Sequence, residues 1–423
     1  MSMDPAALAR RFLALDTEGR RRFYDALRGK GLNLTSLPVV SGLAPEGEVP
    51  LAPLQRRLWL LARSDAESTA YNLTAAFDLT GPVSEGTLAP ALRALQQRHV
   101  PLRACFVTGE DGEGRQIIRH DPPPPLSVHD LRGAPAATVR AEADADARAC
   151  FDLERDPPYR VQLIRLDDSR WRLQIVLHHI VADAWSLGIF LQDLGRAWRH
   201  AAGFETGALA PLEVTYTDYA VWQHACLDAG EAPRQAAFWR ARLAPEQPPC
   251  LIPPEKPFPP GKPRRAATRQ ATLPDVQTLA RSVKATPVAV LLAAWAWTLA
   301  RHSGRTDIPV GVPVADRDRT ETAPQIGLFV NTFVLRVAAT AESTVSGLIA
   351  QVQAAILESQ DNRSLPFDRL VDTIAPRRSA DETPLFQVLF NYRTAPANPQ
   401  TLLPDVTVTP LAQGVPHALF DIA

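Results

Sequence analysis

Cysteine is scarce. Cys105, Cys150, Cys226 and Cys250 stand far apart in a chain of 423 residues. No two of them share a C-x-x-C spacing, which excludes a zinc ribbon and a dithiol redox motif, and no metal site is expected. A signal peptide is also missing. Sparse cysteine without a leader points to the cytoplasm. Neither charge is in excess, with 45 Lys and Arg against 46 Asp and Glu. That balance leaves no electrostatic footprint for nucleic acid or an anionic membrane, so proteins or small molecules are the expected partners. Long apolar runs are absent too. Pro287–Ala300 falls short of the ~20 residues that a membrane-spanning helix needs. No short repeat is visible.

What is present reads as a globular chain, 46% apolar and 22% charged, long enough for two or three domains or two large lobes. Residues 5–29 read as two short helices, the second carrying the basic cluster Arg20–Arg22. A Gly/Pro loop follows over 41–53. Helical spacing then recurs at Leu54, Leu58 and Leu61, and at Leu88, Leu92 and Leu95. A strand is predicted over 171–179 and a helix over 184–200, with Leu187, Phe190, Leu191, Leu194 and Trp198 on one face. Residues 244–263 are proline-rich and read as an extended surface segment. Beyond them, a helix over 287–303 and strands over 308–312, 331–337 and 386–390 are predicted. Mixed helices and strands in each half suggest two α/β lobes.

One segment invites chemistry. Neighbouring strand side chains point to opposite faces. Leu173, Ile175 and Leu177 therefore share a face with His179, and Arg172, Gln174 and Val176 share the other with His178. His179 falls where strand passes into loop, a place to hold an imidazole partly dry and able to exchange a proton near neutral pH. Asp183, just before the predicted helix, reads as its N-cap, a contribution of about 1 kcal/mol. These residues suggest a site and do not name a reaction.

The block His178-His179-Ile180-Val181-Ala182-Asp183-Ala184-Trp185-Ser186 resembles the HHxxxDG motif of nonribosomal peptide synthetase condensation domains, part of the chloramphenicol acetyltransferase-like superfamily. Further stretches resemble that family's motifs in the same order. Residues 53–61 (PLQRRLWLL) resemble the first and 98–106 (RHVPLRACF) the second. Residues 216–223 (YTDYAVWQ) match the fourth, 326–332 (IGLFVNT) the fifth, 365–368 (LPFD) the sixth and 384–388 (PLFQV) the end of the seventh. The resemblance covers about residues 50–423. Two departures stand out. Ala184 replaces the glycine that would allow unusual backbone angles or a close approach of substrate, and so is expected to narrow that passage. The chain also stops at Ala423, where similar domains continue through a strand and a closing helix, so it reads as cut from a larger synthetase.

The resemblance implies an α/β (α+β) fold of two chloramphenicol acetyltransferase-like lobes, a V-shaped pseudo-dimer with an active-site tunnel between them. Residues 1–45 would be a helical extension or docking segment, 46–210 the first lobe and 211–423 the second, truncated at its end. His179, His178 and Asp183 would form the catalytic motif. His179 would hydrogen-bond the attacking amine or remove its proton, and the sequence leaves open which. No serine or cysteine nucleophile with a local motif accompanies them, so direct transfer without an acyl-enzyme is expected. Asp183 would pair with Arg317. Ala184, Ser186, Asn331, Trp59 and Arg103 would support the structure or the tunnel, with Asn331 and Thr332 near the loop bridging the lobes, and Trp59, Arg103 and Tyr216 packing or hydrogen-bonding.

No tightly bound cofactor is implied. The acceptor would be an aminoacyl-carrier protein with its phosphopantetheine arm. The donor would be acyl-CoA or an upstream acyl-carrier protein, and an adenylation domain would lie adjacent. The stretch ahead of Pro53 is too short for a carrier protein, which favours a starter domain that N-acylates from acyl-CoA, as in lipopeptide synthesis, over an elongation domain. An epimerisation relative, a free-standing acyl-CoA acyltransferase and a non-catalytic relative that recruits partner proteins are the other readings.

Overall fold

The computed structural model describes residues 4–45, 47–244, 269, 271–273, 275–374, 384–392, 402–411 and 420–422. Cys250, the proline-rich segment beyond Ala244 and the last residue lie outside them. The chain forms two compact units. The first takes in the described residues up to Gly230, then Arg317–Phe329 and 402–411. The second takes in the described parts of Glu231–Asp316, Val330–Thr394 and Gly414–Ala423.

The first unit opens with α1 (Pro5–Ala14) and α2 (Thr17–Gly29), each started by an aspartate whose carboxylate accepts first-turn N–H groups. Then come β1 (Glu48–Pro50), α3 (Pro53–Ser64), β2 (Asn72–Thr80) and α4 (Glu85–Arg98). They are followed by β3 (Ala104–Thr108), β4 (Gly114–Ile118), β5 (Leu126–Asp130) and α5 (Ala136–Ala147). β6 (Tyr159–Arg165), β7 (Arg170–His178), α6 (Ala184–Ala201) and α7 (Tyr216–Cys226) complete the run. The second unit holds α8 (Ala232–Leu243), α9 (Val276–Ser282), α10 (Pro287–Ser303), β8 (Asp307–Ala315) and β9 (Val330–Ala338). It continues with α11 (Val345–Gln360), α12 (Phe367–Ile374) and β10 (Val388–Phe390). β11 (Thr407–Pro410) returns to the first unit, and β12 (Phe420–Ile422) belongs to the second.

The mixed α/β class expected from sequence is the one observed. In the first unit β11-β2-β7-β6-β5 form one sheet and β1-β4-β3 a smaller one. β2 and β7 run antiparallel in a register that pairs Asn72 with His178, Leu73 with Leu177, Ala75 with Ile175 and Phe77 with Leu173. Alternation puts these apolar pairs, with Val161 and Leu163 of β6, on one face. α4 and α6 cover that face with Leu88, Leu92, Leu95, Phe190, Leu194 and Trp198. The other face meets α5, where the Gln174 amide donates to the Ala143 carbonyl at 2.8 Å. In the second unit β12-β10-β8-β9 form a sheet backed by α10 and α11. α10 starts on the Thr286 cap with Pro287 in its first turn and stops at left-handed Gly304.

The break expected after residue 210 falls later. α7 belongs to the first unit because its aromatic face is stacked there: Tyr216 and Tyr219 lie 5.2 and 4.8 Å from the Phe329 ring, and Trp222 lies 5.7 Å from Phe12. Residues 4–45 join the same unit. Gly230 leaves room for Tyr24, since a Cβ there would sit 2.6 Å from that ring. Within the basic cluster, Arg20 donates to the Leu13 carbonyl at 2.6 Å and Arg22 pairs with Glu18.

Candidate active site

β7 ends at His178, one residue before the end predicted from sequence. The cause is a turn: the Val181 N–H returns to the His178 carbonyl at 3.0 Å. Strand alternation therefore stops short of His179 and does not by itself set the direction of that side chain. The two histidines sit in different surroundings. His178 is buried, edge-on to Phe151 at 5.8 Å, and its Nδ1 accepts the Ile180 N–H at 3.1 Å. Burial, helped by the neighbouring His179, pushes its pKa down to about 3. It is neutral at any ordinary pH, with its proton on Nε2. His179 is half-buried, and its backbone N–H donates to the Tyr71 carbonyl at 2.8 Å.

The turn after it is held by Gln55 of α3, which is fully buried. The Gln55 amide donates to the Ile180 carbonyl at 2.9 Å and its oxygen accepts the Ala52 N–H at 2.9 Å.

Asp183 caps α6, taking the Ser186 N–H on Oδ1 at 2.7 Å. The same oxygen accepts from Arg317 at 3.1 Å, and Oδ2 accepts the Phe329 N–H at 3.1 Å. Both partners of the ion pair are 3% exposed, so each charge depends on the other for solvation. Arg317 also donates to the carbonyl of Gln325 at 2.8 Å and to Ser186 Oγ at 2.7 Å, with its guanidinium 4.2 Å over the Phe329 ring. The Ser186 hydroxyl donates to the Gly327 carbonyl at 2.7 Å and accepts the Gly327 N–H at 3.1 Å. Gly327 permits this approach, because a Cβ would meet the Tyr216 ring at 2.2 Å. The Tyr216 hydroxyl donates to the Leu328 carbonyl at 2.9 Å. Asp183, Ser186 and Arg317 are thus brought together with the His179 turn on one helix end.

The other expected residues lie elsewhere. Ala184 is the exposed first residue of α6, in ordinary helical backbone rather than a conformation that needs glycine. Trp59 is buried on α3, with Arg63 4.9 Å over its ring. Arg103 donates to the carbonyls of Gln96, Arg119 and His120 at 2.7, 2.7 and 2.9 Å. Asn331 belongs to the second unit, where its amide donates to the carbonyls of Arg363 and Leu365, both at 2.7 Å.

Two contributors are not singled out by sequence reasoning, although both lie inside the motif stretches. One is Gln55. The other is His99, fully buried, whose Nε2 lies 2.8 Å from Asp193 of α6 and whose Nδ1 accepts the Ile326 N–H at 3.4 Å. Burial outweighs Asp193 and holds its pKa below the usual histidine range. A buried polar residue amid an apolar motif is the available signal.

A family model described as Condensation domain matches residues 45–409. A linear gramicidin synthase of Brevibacillus parabrevis is 38% identical over 376 residues, which covers 86% of this chain and 7% of that protein. Phosphinothricin tripeptide synthetase PhsC of Streptomyces viridochromogenes is 36% identical over 394 residues, covering 90% of this chain and 36% of its own. The chain therefore spans only a minor part of these relatives. Among solved structures, the X-domain from teicoplanin biosynthesis matches with a TM-score of 0.80 at 28% identity, covering 89% of this chain and 85% of that one. The first condensation domain of the calcium-dependent antibiotic synthetase has a TM-score of 0.68 at 21% identity, over 82% and 81%, a likeness of fold alone.

Proposed function

We propose a reaction for this chain on one premise: it belongs to the condensation domain family of nonribosomal peptide synthetases, acyltransferases that form amide bonds. In this reading the amine of an aminoacyl group, carried on the phosphopantetheine arm of a carrier protein, attacks the carbonyl of an acyl thioester. The C–N bond forms, the tetrahedral centre collapses, and the C–S bond breaks. His179 accepts a proton from the attacking nitrogen, and the departing thiolate takes one up. Holding both reactants in one site makes the step effectively unimolecular.

The observation that carries the assignment is the asymmetry of the two histidines. His178 is buried, neutral and committed through Nδ1 to the turn, whereas His179 keeps partial exposure. Asp183 is assigned to architecture because N–H donors engage both of its oxygens.

Starter N-acylation from acyl-CoA is the finer proposal, carried over from the sequence, and a donor on an upstream carrier protein is its rival. Purified protein is given acyl-CoAs of several lengths or an acyl-carrier protein, with an aminoacyl-carrier protein as acceptor, and amide product is read by mass spectrometry. Product from acyl-CoA alone supports the starter role; product only from the carrier-borne donor replaces it with elongation. His179→Ala should abolish product at an unchanged melting temperature, while His178→Ala should cost more stability than activity. Full turnover by His179→Ala would sink the mechanism.

A second reading has one observation behind it. The X-domain is solved in complex with OxyB, and the likeness to it admits a role in recruiting a partner protein. Amide product in the assay above excludes a purely recruiting role.

A further inference from the structure

The loop that carries Arg317 is held from two sides. On one side Arg317, Gly327 and Phe329 grip Asp183 and Ser186, as described above. On the other side stands the irregular segment 37–44, whose Leu37, Val39 and Val40 are buried. The Val39 N–H donates to Glu321 Oε1 at 2.8 Å, and the Arg319 guanidinium donates to the Leu37 carbonyl. Arg319 and Glu321 lie 3.8 Å apart, and Arg319 sits 5.8 Å over the Trp222 ring of α7. A few residues on, the N–H groups of Leu43 and Ala44 donate to Asp218 Oδ1 at 2.7 and 3.2 Å. The other oxygen of Asp218 accepts the Thr215 N–H at 3.0 Å and the Thr215 hydroxyl at 2.7 Å, closing the cap of α7.

From Glu321 the connection to the site is short. Its backbone carbonyl accepts from the Gln325 amide at 3.0 Å, which also donates to the Val214 carbonyl at 2.9 Å. The backbone carbonyls of Thr322 and Gln325 in turn accept from Arg317. A side chain that must hold a buried carboxylate needs its own backbone fixed, because an arginine on a mobile loop loses the geometry of its charge-assisted bonds.

We infer that residues 37–44, which lie outside the family match at 45–409, are a positioning strap: they fix the Arg317 loop and, through Asp183, the start of α6 and the His179 turn. The strap makes part of the extension ahead of the matched region a component of the reacting unit of this chain. It touches no reacting atom. The inference deepens the function proposed above and rests on it for its rate readout, while its exchange readout does not.

Four variants of the intact chain test the strap. Glu321→Ala removes the acceptor of the Val39 N–H, and Glu321→Gln restores an acceptor. Arg319→Ala removes the donor to Leu37, and Arg319→Lys restores one. Hydrogen exchange over residues 317–329 is measured first, then the single-turnover rate and the apparent KM for the aminoacyl-carrier protein. In both alanine variants exchange at Gly327 and Phe329 should quicken by about 10-fold or more. The rate should fall by about 10- to 100-fold, the size of effect that a small misplacement produces. KM should stay within about two-fold, since the strap is removed from positioning and not from uniform binding. The Gln and Lys variants should recover most of the loss.

Unchanged exchange in both alanine variants would overturn the strap, as would faster exchange with an unchanged rate. A raised KM at constant rate would replace it with a carrier-contact surface. Should Glu321→Ala fail to fold, Glu321→Asp, which withdraws the acceptor by one carbon, takes its place. If wild-type protein makes no amide from any donor, the proposed reaction fails and exchange alone decides the strap.

Discussion

Asp183→Ala is the perturbation for which the structure makes the sharpest demand. The carboxylate does three things at once. As an N-cap it contributes about 1 kcal/mol, through the 2.7 Å bond from the Ser186 N–H. As the partner of Arg317 it neutralises a guanidinium that is 3% exposed; breaking a buried pair from one side costs about 3–5 kcal/mol. It also satisfies the buried Phe329 N–H, a group whose orphaning costs about 1–3 kcal/mol. The three share one carboxylate and relax together, so the sum overcounts, and roughly 4–6 kcal/mol is the expected loss. Native domains hold about 5–15 kcal/mol in all, so the variant should unfold early or accumulate insoluble.

The assay is urea unfolding of wild type, Asp183→Ala, Arg317→Met and the double variant. Removing both charges should recover a few kcal/mol relative to Asp183→Ala, because no unpaired guanidinium is then left inside. Asp183→Asn should not rescue fully: with its oxygen on the cap and Arg317, its NH2 confronts the Phe329 N–H, and flipped it confronts the Ser186 N–H and the guanidinium, donor against donor. A loss of under about 1 kcal/mol, the scale of an exposed ion pair, would refute the reasoning. A well-folded Asp183→Ala that has lost all activity would move Asp183 into the chemistry.

Two further predictions follow from buried polar groups. His178, with its pKa near 3 when folded against about 6.5 unfolded, stays neutral in the folded state while the unfolded state takes up a proton. Stability is therefore full above pH ~6.5 and falls by up to about 1.4 kcal/mol per pH unit as pH drops from there toward 3; His99, also lowered, adds in the same direction. Unfolding free energy measured between pH 7 and pH 4 should show that slope, and His178→Phe should flatten it; an identical slope in the variant would refute the assignment. Gln55→Leu leaves the Ile180 carbonyl and the Ala52 N–H without their partner and should cost about 1–3 kcal/mol for each group left unsatisfied. It should also lower the single-turnover rate, and a rate equal to wild type would show that the His179 turn holds without it.

Much of this is legible from residue patterns. The helix over 287–303 is observed at those bounds, and the helix after Asp183 spans Ala184–Ala201. Periodicity reports what a segment buries on its own faces, and α6 and α10 each bury one. It is silent on bonds from side chains to distant backbone. Gln55 reaches Ile180 across 125 positions, Asp218 reaches Leu43 across 175, and Glu321 reaches Val39 across 282. None of these leaves a mark in spacing, so sequence reasoning puts α7 in the wrong half and makes the extension look separable. The predicted end of β7 is off by one for a local reason: His179 still donates to Tyr71 as a ladder residue would, while the next N–H turns inward to His178.

The spacing of the HHxxxD block acquires a physical meaning from these bonds. Three residues separate His179 from Asp183, which is enough for one turn and no more. At its start the turn is tied by the His179 N–H to β2's neighbour Tyr71, in the middle by Gln55 to α3, and at its end by the Asp183 cap to α6. Asp183 is then anchored to Arg317, 134 positions away in sequence. Each tie ends on a backbone group or on a fully engaged carboxylate. These ties fix the main chain from which the His179 imidazole projects. Displacements of about 1 Å at a reacting group can cost two orders of magnitude in rate. The rate should therefore fall when Gln55, Arg317 or the strap at 37–44 is altered, through the main chain that each of them holds.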